Sequence, residues 1–235
     1  MKTLAVMQPY FLPYLGYFQL LAAVDNFVLL DDANYINRGW INRNRILVNG
    51  DVHKFSLPLQ GASQNRLICE IELQCDTVWK DKLLRKIRHA YSKAPHYSEV
   101  MPLLENTIEH PSTRLDEFLL YSLRAIVDYL ELNTHIIESS RVYNNSELSG
   151  QDRIVDICKQ EMATQYINAI GGRGLYSSEK FNSLDIDLKF LQSRGLTYRQ
   201  LTEKHISGLS IVDVMMFNSR TEIQAMLKEY DLISP

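Results

Sequence analysis

The sequence predicts an α/β protein with a parallel-sheet core of the nucleotide-binding kind. Near the amino terminus, the chain has an apolar run at residues 3–7, followed by a proline-rich loop, a helical pattern at 15–24 and a second strand-like segment at 27–32. Strand, loop, helix and strand within about 30 residues make a βαβ unit, whose strands are parallel. Helical patterns then dominate residues 79–132. We therefore expect one α/β domain over residues 1–235, with a helical insertion or subdomain at about 79–132.

The individual elements are predicted from turn signals and apolar periodicity. The first strand ends at Gln8-Pro9, and Asp25-Asn26 closes the first helix. Further strands are predicted at residues 45–48 and 53–59, as a hairpin around Asn49-Gly50, and at 67–73, 134–140, 188–192 and 197–201. Amphipathic patterns predict helices at residues 79–91, 98–109, 115–132, 151–161, 209–217 and 222–230.

Composition and charge exclude several classes of protein. A net charge of -3 and a pI near 6.1 argue against a surface that binds nucleic acid or an anionic membrane over its whole extent, so an anion site must be local. No apolar stretch reaches the ~20 residues that span a bilayer, which predicts a cytoplasmic protein without membrane insertion. The three cysteines form no CxxC motif, so neither a disulfide framework nor a zinc ribbon is expected. Nothing in the sequence indicates the oligomeric state.

Polar residues follow both strands of the predicted βαβ unit. Gln8 and Tyr10 come directly after the first strand, and Asp31, Asp32 and Asn34 follow the second. Ligands of parallel sheets bind beyond the carboxyl ends of the strands. These five side chains are therefore expected to face one ligand-binding crevice.

The segment between the two strands, QPYFLPYLGYF, offers groups suited to a sugar, a base or a phosphate. Tyr14 and Tyr17 supply hydroxyls and rings, Gly16 permits close approach at a helix start, and the free N–H groups of that start attract anions. Gly172 lies in a later glycine run that could cradle a phosphate. The structural alternatives are an aromatic core and a simple glycine turn.

Asp31 and Asp32 are the candidate catalytic carboxylates, and His205 is a candidate base. Adjacent carboxylates at a strand end can bind ribose hydroxyls, hold Mg²⁺ where a nucleotide is turned over, or remove a proton from an amine. No other metal or cofactor is predicted. The alternatives are a solvated strand end or helix cap for the aspartates and a structural role for the histidine.

A cationic and aromatic cluster precedes the predicted hairpin. Arg38, Trp40, Asn42, Arg43 and Asn44 combine guanidiniums, which pair bidentately with phosphate, with an indole that stacks on a base. The alternative is a solvated hairpin rim in which the tryptophan covers the core.

The segments QPYFLPYLGYF, DNFVLLDD and NRGWINRNRI together resemble the opening of the WbqC-like protein family. Members of that family have a Q-P-x-[FY]-x-P-[WY]-x-G-[YF]-F run, a strand ending in two aspartates, and a [KR]-x-[WY]-x-N-R-N segment. Weaker likeness extends over nearly the full length, whereas the strong likeness covers residues 8–46.

This resemblance implies a function. The family occurs in bacterial O-antigen and polysaccharide gene clusters of lipopolysaccharide biosynthesis, and its members are described as glycine transferases. A glycyl or other acyl group would pass to the amine of a nucleotide-linked amino sugar, and the donor would be an adenylate, a carrier-protein thioester or an aminoacyl-tRNA. The resemblance implies that Arg38, Arg43 and Arg45 bind phosphate and that Tyr10, Tyr14 and Trp40 bind rings of the ligand. It also implies that Asp31, Asp32 or His205 accepts the proton of the amine.

A looser likeness concerns the nucleotidyltransferases of the HxGH type. Tyr14-Leu15-Gly16-Tyr17 occupies the place of that motif after a strand and a proline loop, but both histidines are replaced by tyrosine. Two alternatives to acyl transfer therefore stay open. One is a nucleotidyltransferase or ATP-dependent ligase, and the other is a non-catalytic module that binds a nucleotide or glycan.

Overall fold

The computed structural model describes residues 1–235 and is built on a six-stranded sheet with helices on both faces. The strands of this sheet are β1 (Thr3–Met7), β2 (Asn26–Leu29), β7 (His135–Ile137), β8 (Gln165–Ala169), β9 (Asp187–Ser193) and β10 (Tyr230–Ile233). Two antiparallel pairs lie outside it, β3 (Arg43–Val48) with β4 (Asp51–Ser56) and β5 (Leu59–Gln60) with β6 (Glu72–Leu73). The helices are α1 (Leu15–Ala22), α2 (Val78–Tyr91), α3 (Tyr97–Glu109), α4 (Leu115–Tyr129), α5 (Gly150–Gln160), α6 (Ser178–Asn182), α7 (Ile211–Phe217) and α8 (Arg220–Met226).

The strands lie in the spatial order β10-β9-β8-β1-β2-β7, and all neighbours are parallel except β9 and β10. From β1 the chain adds β2 and β7 on one side, and it then returns to the other side of β1 with β8 and β9. The winding direction therefore reverses between β1 and β8. The predicted α/β class and the βαβ start are confirmed.

Alternate residues of the central strands enter two separate apolar layers. Ala5 and Ile167 belong to a large cluster that includes α1 and α7. Leu4 and Tyr166 belong to a smaller cluster that includes α5 and α6. Because side chains alternate across a strand, both faces of the sheet are covered, and the central strands read as continuous apolar runs.

Helices α2, α3 and α4 account for the helical patterns predicted at residues 79–132. Leu84, Leu104 and Phe118, one from each helix, are buried in the same large cluster as α1. Their description as a subdomain stays a prediction. No helix of the chain is both long enough and apolar enough to cross a bilayer.

The strand predicted at residues 197–201 is irregular chain. Tyr198 donates a hydrogen bond to Asp213 at 2.7 Å, and Gln200 donates another to the same carboxylate at 2.7 Å. The alternating pattern is therefore produced by polar side chains that turn inward to a buried acid, not by a strand that faces a core.

Two further boundaries differ from the prediction. The strand predicted at residues 67–73 is a 3-10 turn at Ile68–Glu70 followed by the short β6. The helix predicted at residues 222–230 ends at Met226, because Tyr230 begins β10 and pairs with β9. Short strands at a sheet edge depend on tertiary pairing, which a local pattern does not record.

Asp25 gives the start of β1 a pH-dependent contribution to stability. Its carboxylate accepts hydrogen bonds from the backbone N–H and the hydroxyl of Thr3, both at 2.8 Å. These bonds lower the pKa of Asp25 in the folded state. The stabilisation is therefore present above the pKa of the unfolded chain and is lost as the pH falls through the folded pKa.

We expect the Asp25→Asn variant to unfold at lower urea concentration than the wild type at pH 7 and to match it in acid. Urea midpoints at several pH values measure this difference. Asp51→Asn, at an exposed aspartate without a side-chain hydrogen bond, serves as the control. A gap between wild type and Asp25→Asn that is the same at every pH contradicts the expectation.

Candidate functional site

Strands β1 and β8 are paired only where they begin. Thr3 and Leu4 are in register with β8, whereas β1 remains paired with β2 as far as Met7. Likewise, β8 remains paired with β9 as far as Ala169. The two strands therefore diverge toward their carboxyl ends, at the reversal of winding direction where open α/β sheets bind ligands.

A cavity of about 720 Å³ occupies this divergence. Its walls come from the end of β1, the following loop, the first turn of α1, the end of β8 and the glycine-rich turn after β8. Predicted site residues in its lining are Gln8, Tyr10, Tyr14, Gly16, Tyr17, Trp40 and Gly172. No acidic, lysine, arginine or histidine side chain lines the cavity, so its interior is aromatic, apolar and amide-like.

Tyr10 is the centre of an aromatic wall. Its ring centroid lies 6.3 Å from that of Tyr14, 6.2 Å from that of Tyr17 and 6.4 Å from that of Trp40. Burial raises the pKa of all three tyrosines, so their hydroxyls stay protonated near neutral pH. Tyr17 donates to the backbone oxygen of Gln8 at 3.1 Å. Trp40 is 46% exposed and forms part of the rim, where a flat ligand could stack.

The loop at residues 9–13 is held from outside the cavity. Leu12 has a φ of 43°, in the left-handed region that non-glycine residues rarely adopt. Its carbonyl accepts hydrogen bonds from Asn44 Nδ2 at 2.5 Å and from Ser210 Oγ at 2.7 Å. Asn44 is fully buried and does not line the cavity, so its observed contacts support the wall instead of reaching a ligand.

Gly16 shapes the first turn of α1. A Cβ atom at this position would lie 2.5 Å from Cε2 of Tyr14, so a glycine is needed for the Tyr14 ring to lie against the helix. No side chain caps the amino end of α1, and its first turn carries no acidic residue. The turn therefore presents uncapped backbone N–H groups with a favourable field for an anion.

Asp31 and Asp32 are buried in ion pairs. Asp31 accepts a hydrogen bond from Ser139 Oγ at 2.8 Å and pairs with Arg141 at 3.0 Å, whereas Asp32 pairs with Arg153 at 2.6 Å. Neither carboxylate lines the cavity. In the structure they tie the turn after β2 to α5 and to the turn after β7, and their catalytic role remains a prediction from sequence.

Other predicted residues also lie outside the cavity lining. Asn34 and Arg38 are exposed, and Arg38 has a φ of 62°. Asn42 is buried and accepts a hydrogen bond from the Tyr35 hydroxyl at 2.8 Å. Arg43 has a buried Nε without a hydrogen-bond partner. No group of three or more His, Cys, Asp or Glu side chains is arranged to hold a metal ion.

His205 lies in a separate hollow of about 290 Å³ that shares Tyr14 and Gly16 with the main cavity. Its Nε2 atom is buried without a hydrogen-bond partner, and its ring packs edge-on against Tyr198 with centroids 4.8 Å apart. The predicted base is therefore beside the cavity and not in its lining.

Asn168, Tyr176 and Ser193 line the cavity and were not among the predicted site residues. Asn168 is the fourth of the five residues of β8, which ends at Ala169. The strand-end rule points to this part of the chain once YINAI at residues 166–170 is recognised as a strand. Tyr176 and Ser193 carry no comparable local signal.

Comparison with known proteins identifies the family to which the chain belongs. The profile of the WbqC-like protein family matches residues 8–225. A Mycobacterium tuberculosis (strain ATCC 25618 / H37Rv) protein, "Uncharacterized protein Rv1507c", is 29% identical over 231 residues, which cover 97% of this chain and 98% of that protein. No solved structure matches the chain. Because the profile covers most of the 235 residues, the chain belongs to the WbqC-like protein family.

Proposed function

We propose that the protein is a transferase that binds a nucleotide-linked amino sugar in the cavity between β1 and β8 and passes a glycyl or other acyl group to its amine. The observation that carries the proposal is the cavity itself, which lies at the reversal of winding direction and combines an aromatic rim with polar, uncharged groups inside. The resemblance to glycine transferases of polysaccharide gene clusters supports the reaction type.

The parts of such a ligand have matching groups around the cavity. The exposed face of Trp40 and the ring of Tyr10 provide stacking surfaces for a base. The uncapped first turn of α1 suits a phosphate, and the guanidinium of Arg45 lies 5.8 Å from the Trp40 ring centroid, which puts a cation beside the rim. A volume of about 720 Å³ is in the range of sites for small ligands.

The proposed reaction forms an amide. The lone pair of the sugar amine attacks the carbonyl carbon of an activated glycyl donor, a C–N bond forms, and the bond from that carbon to the leaving group breaks. The leaving group keeps the electron pair, and the amine loses one proton. The tyrosine hydroxyls of the cavity, protonated near neutral pH, supply hydrogen-bond donors for the carbonyl oxygen on which negative charge develops.

Mass spectrometry tests this function. Purified protein is incubated with nucleotide amino sugars and with glycyl adenylate, glycyl thioester or glycyl-tRNA. A product heavier than the amino sugar by one glycyl residue is the expected result. No acylated product from any pair, with protein shown to be folded and to bind the sugar nucleotide, would overturn the proposal.

One observation favours a second candidate, a non-catalytic module that binds a nucleotide or glycan. Asp31, Asp32 and His205, the predicted acid–base residues, are all absent from the cavity lining. Saturable binding without product in the same incubations would favour this candidate. No comparable observation favours nucleotidyl transfer, because tyrosines occupy both histidine positions of the HxGH-like segment.

A further inference from the structure

The carboxamide of Asn168 is hydrogen-bonded to two tyrosine hydroxyls. The residue is 7% exposed, and its Nδ2 donates to the hydroxyls of Tyr166 at 2.8 Å and Tyr176 at 2.9 Å. Both N–H groups of the amide are thereby used, whereas Oδ1 accepts no hydrogen bond from the protein. Oδ1 is not enclosed by protein atoms, so it is free to accept a hydrogen bond from a donor on a ligand.

Gly172 keeps this oxygen open to the cavity. A Cβ atom at this position would lie 3.0 Å from Asn168 Oδ1, closer than ordinary van der Waals contact. Asn168 and Gly172 both line the cavity. The absence of a side chain at this glycine thus leaves room for a ligand atom next to the free oxygen.

The electrostatics of the cavity select the protonation state of an amine. An ammonium ion transferred from water into a cavity without a carboxylate loses hydration and gains no counter-ion from the protein. A neutral amine avoids this cost and can still donate an N–H to a carboxamide oxygen. A cavity of this composition therefore favours the form of the amine that has a lone pair.

We infer that Asn168 Oδ1 receives the acceptor amine of the sugar and that the amine binds as its free base. This inference rests on the proposed function and names the residue that holds the nucleophile. One N–H is donated to Asn168, the lone pair remains available for the acyl carbonyl, and the proton released on amide formation passes to solvent, since a carboxamide does not accept it.

The ionisable side chains that line the cavity do not interfere with an experiment in which the pH is varied. The titratable groups that line the cavity are Tyr10, Tyr14, Tyr17 and Tyr176. Burial raises the pKa of each of them. Because His205 lies in the adjoining hollow, the control is UDP-glucose, which has no amine. A change in the affinity for UDP-glucosamine between pH 5.5 and pH 9 that UDP-glucose does not share reports the amine of the ligand.

The experiment measures the dissociation constants of UDP-glucosamine and UDP-glucose by calorimetry over that pH range. For the wild type, affinity for UDP-glucosamine should rise about tenfold per pH unit below the pKa of the sugar amine and level off above it, whereas affinity for UDP-glucose stays constant. Asn168→Asp supplies a carboxylate for the ammonium, so the slope for UDP-glucosamine should disappear.

Gly172→Ala tests the same point while keeping the Asn168 side chain itself. Its methyl group crowds Oδ1, so it should weaken UDP-glucosamine binding by several fold, whereas Gly174→Ala, outside the cavity lining and with no atom within 4 Å of an added Cβ, should bind as the wild type does. A pH-independent affinity of the wild type for UDP-glucosamine, or unchanged binding by Gly172→Ala and Asn168→Asp, overturns the inference and leaves the proposed function standing. Failure of the wild type to bind either compound removes both.

Discussion

Asp32→Ala is expected to lower the free energy of unfolding by about 3–5 kcal/mol, because it leaves the buried guanidinium of Arg153 without its counter-ion. The side chains of this pair are 5% and 9% exposed, and the atoms Oδ2 and Nη2 lie 2.6 Å apart. A charge that has been removed from water needs a partner, and the carboxylate of Asp32 is the acidic group paired with Arg153. Urea unfolding monitored by circular dichroism measures the loss.

The control is Asp152→Ala, which breaks an exposed pair with Lys180 whose side chains are 59% and 42% exposed. An exposed pair of this kind contributes at most about 1 kcal/mol. The double variant Asp32→Leu/Arg153→Leu removes both charges and should be more stable than Asp32→Ala. If Asp32→Ala unfolds at the wild-type urea midpoint, the pair is not structural, and the catalytic interpretation of Asp32 gains weight.

Asn44→Ala is expected to cost about 2–4 kcal/mol of stability and to weaken ligand binding, although Asn44 does not line the cavity. Its amide donates to the carbonyl of Leu12 at 2.5 Å, and its oxygen accepts from the backbone N–H of Arg45 at 2.9 Å. Without the Asn44 side chain, the carbonyl of Leu12, whose backbone is left-handed, keeps the hydrogen bond from Ser210 but loses the one from Asn44. The cavity wall at residues 9–13 should then lose its fixed position.

Denaturation and ligand titration of the same Asn44→Ala sample measure both effects. Asn65→Ala, at an exposed asparagine whose side chain makes no hydrogen bond, should change neither by more than about 0.5 kcal/mol. If Asn44→Ala loses affinity at unchanged stability, the residue contacts the ligand directly, as predicted from the cationic and aromatic cluster in the sequence.

The location of the candidate site can be predicted from the sequence because the residues of its first wall lie close together along the chain. β1, α1 and β2 follow one another within the first 29 residues, and each has a clear periodicity. Local pattern alone therefore places Gln8 and Tyr10 at a strand end. The second wall comes from β8, more than 150 residues along the chain, and no local pattern states that β8 lies next to β1.

The roles of the charged residues are less accessible for the same reason. Asp31 and Asp32 have the spacing of a catalytic or metal-binding pair, but their partners Arg141 and Arg153 are 110 and 121 residues away. A sequence shows which carboxylates follow a strand, not which cations fold onto them. Asn168 was missed because a single asparagine in an apolar run has no distinctive spacing.

Ligand binding in the cavity between β1 and β8 can be tested by blocking this cavity with a bulky side chain. The measurement is whether the ligand still stabilises the protein. Gly171 lines the cavity and Gly174 does not, and an added Cβ meets no atom within 4 Å at either position. Gly171→Trp and Gly174→Trp therefore place the same bulky side chain inside and outside the cavity.

Thermal unfolding of both variants and the wild type is recorded with and without UDP-glucosamine at about 100 times its dissociation constant, where a specific ligand stabilises by about 2.7 kcal/mol. For a chain of this length, that corresponds to a rise in Tm of roughly 5–10 °C. This rise is expected for the wild type and Gly174→Trp, and its loss is expected for Gly171→Trp. An equal rise in all three proteins would contradict ligand binding in this cavity.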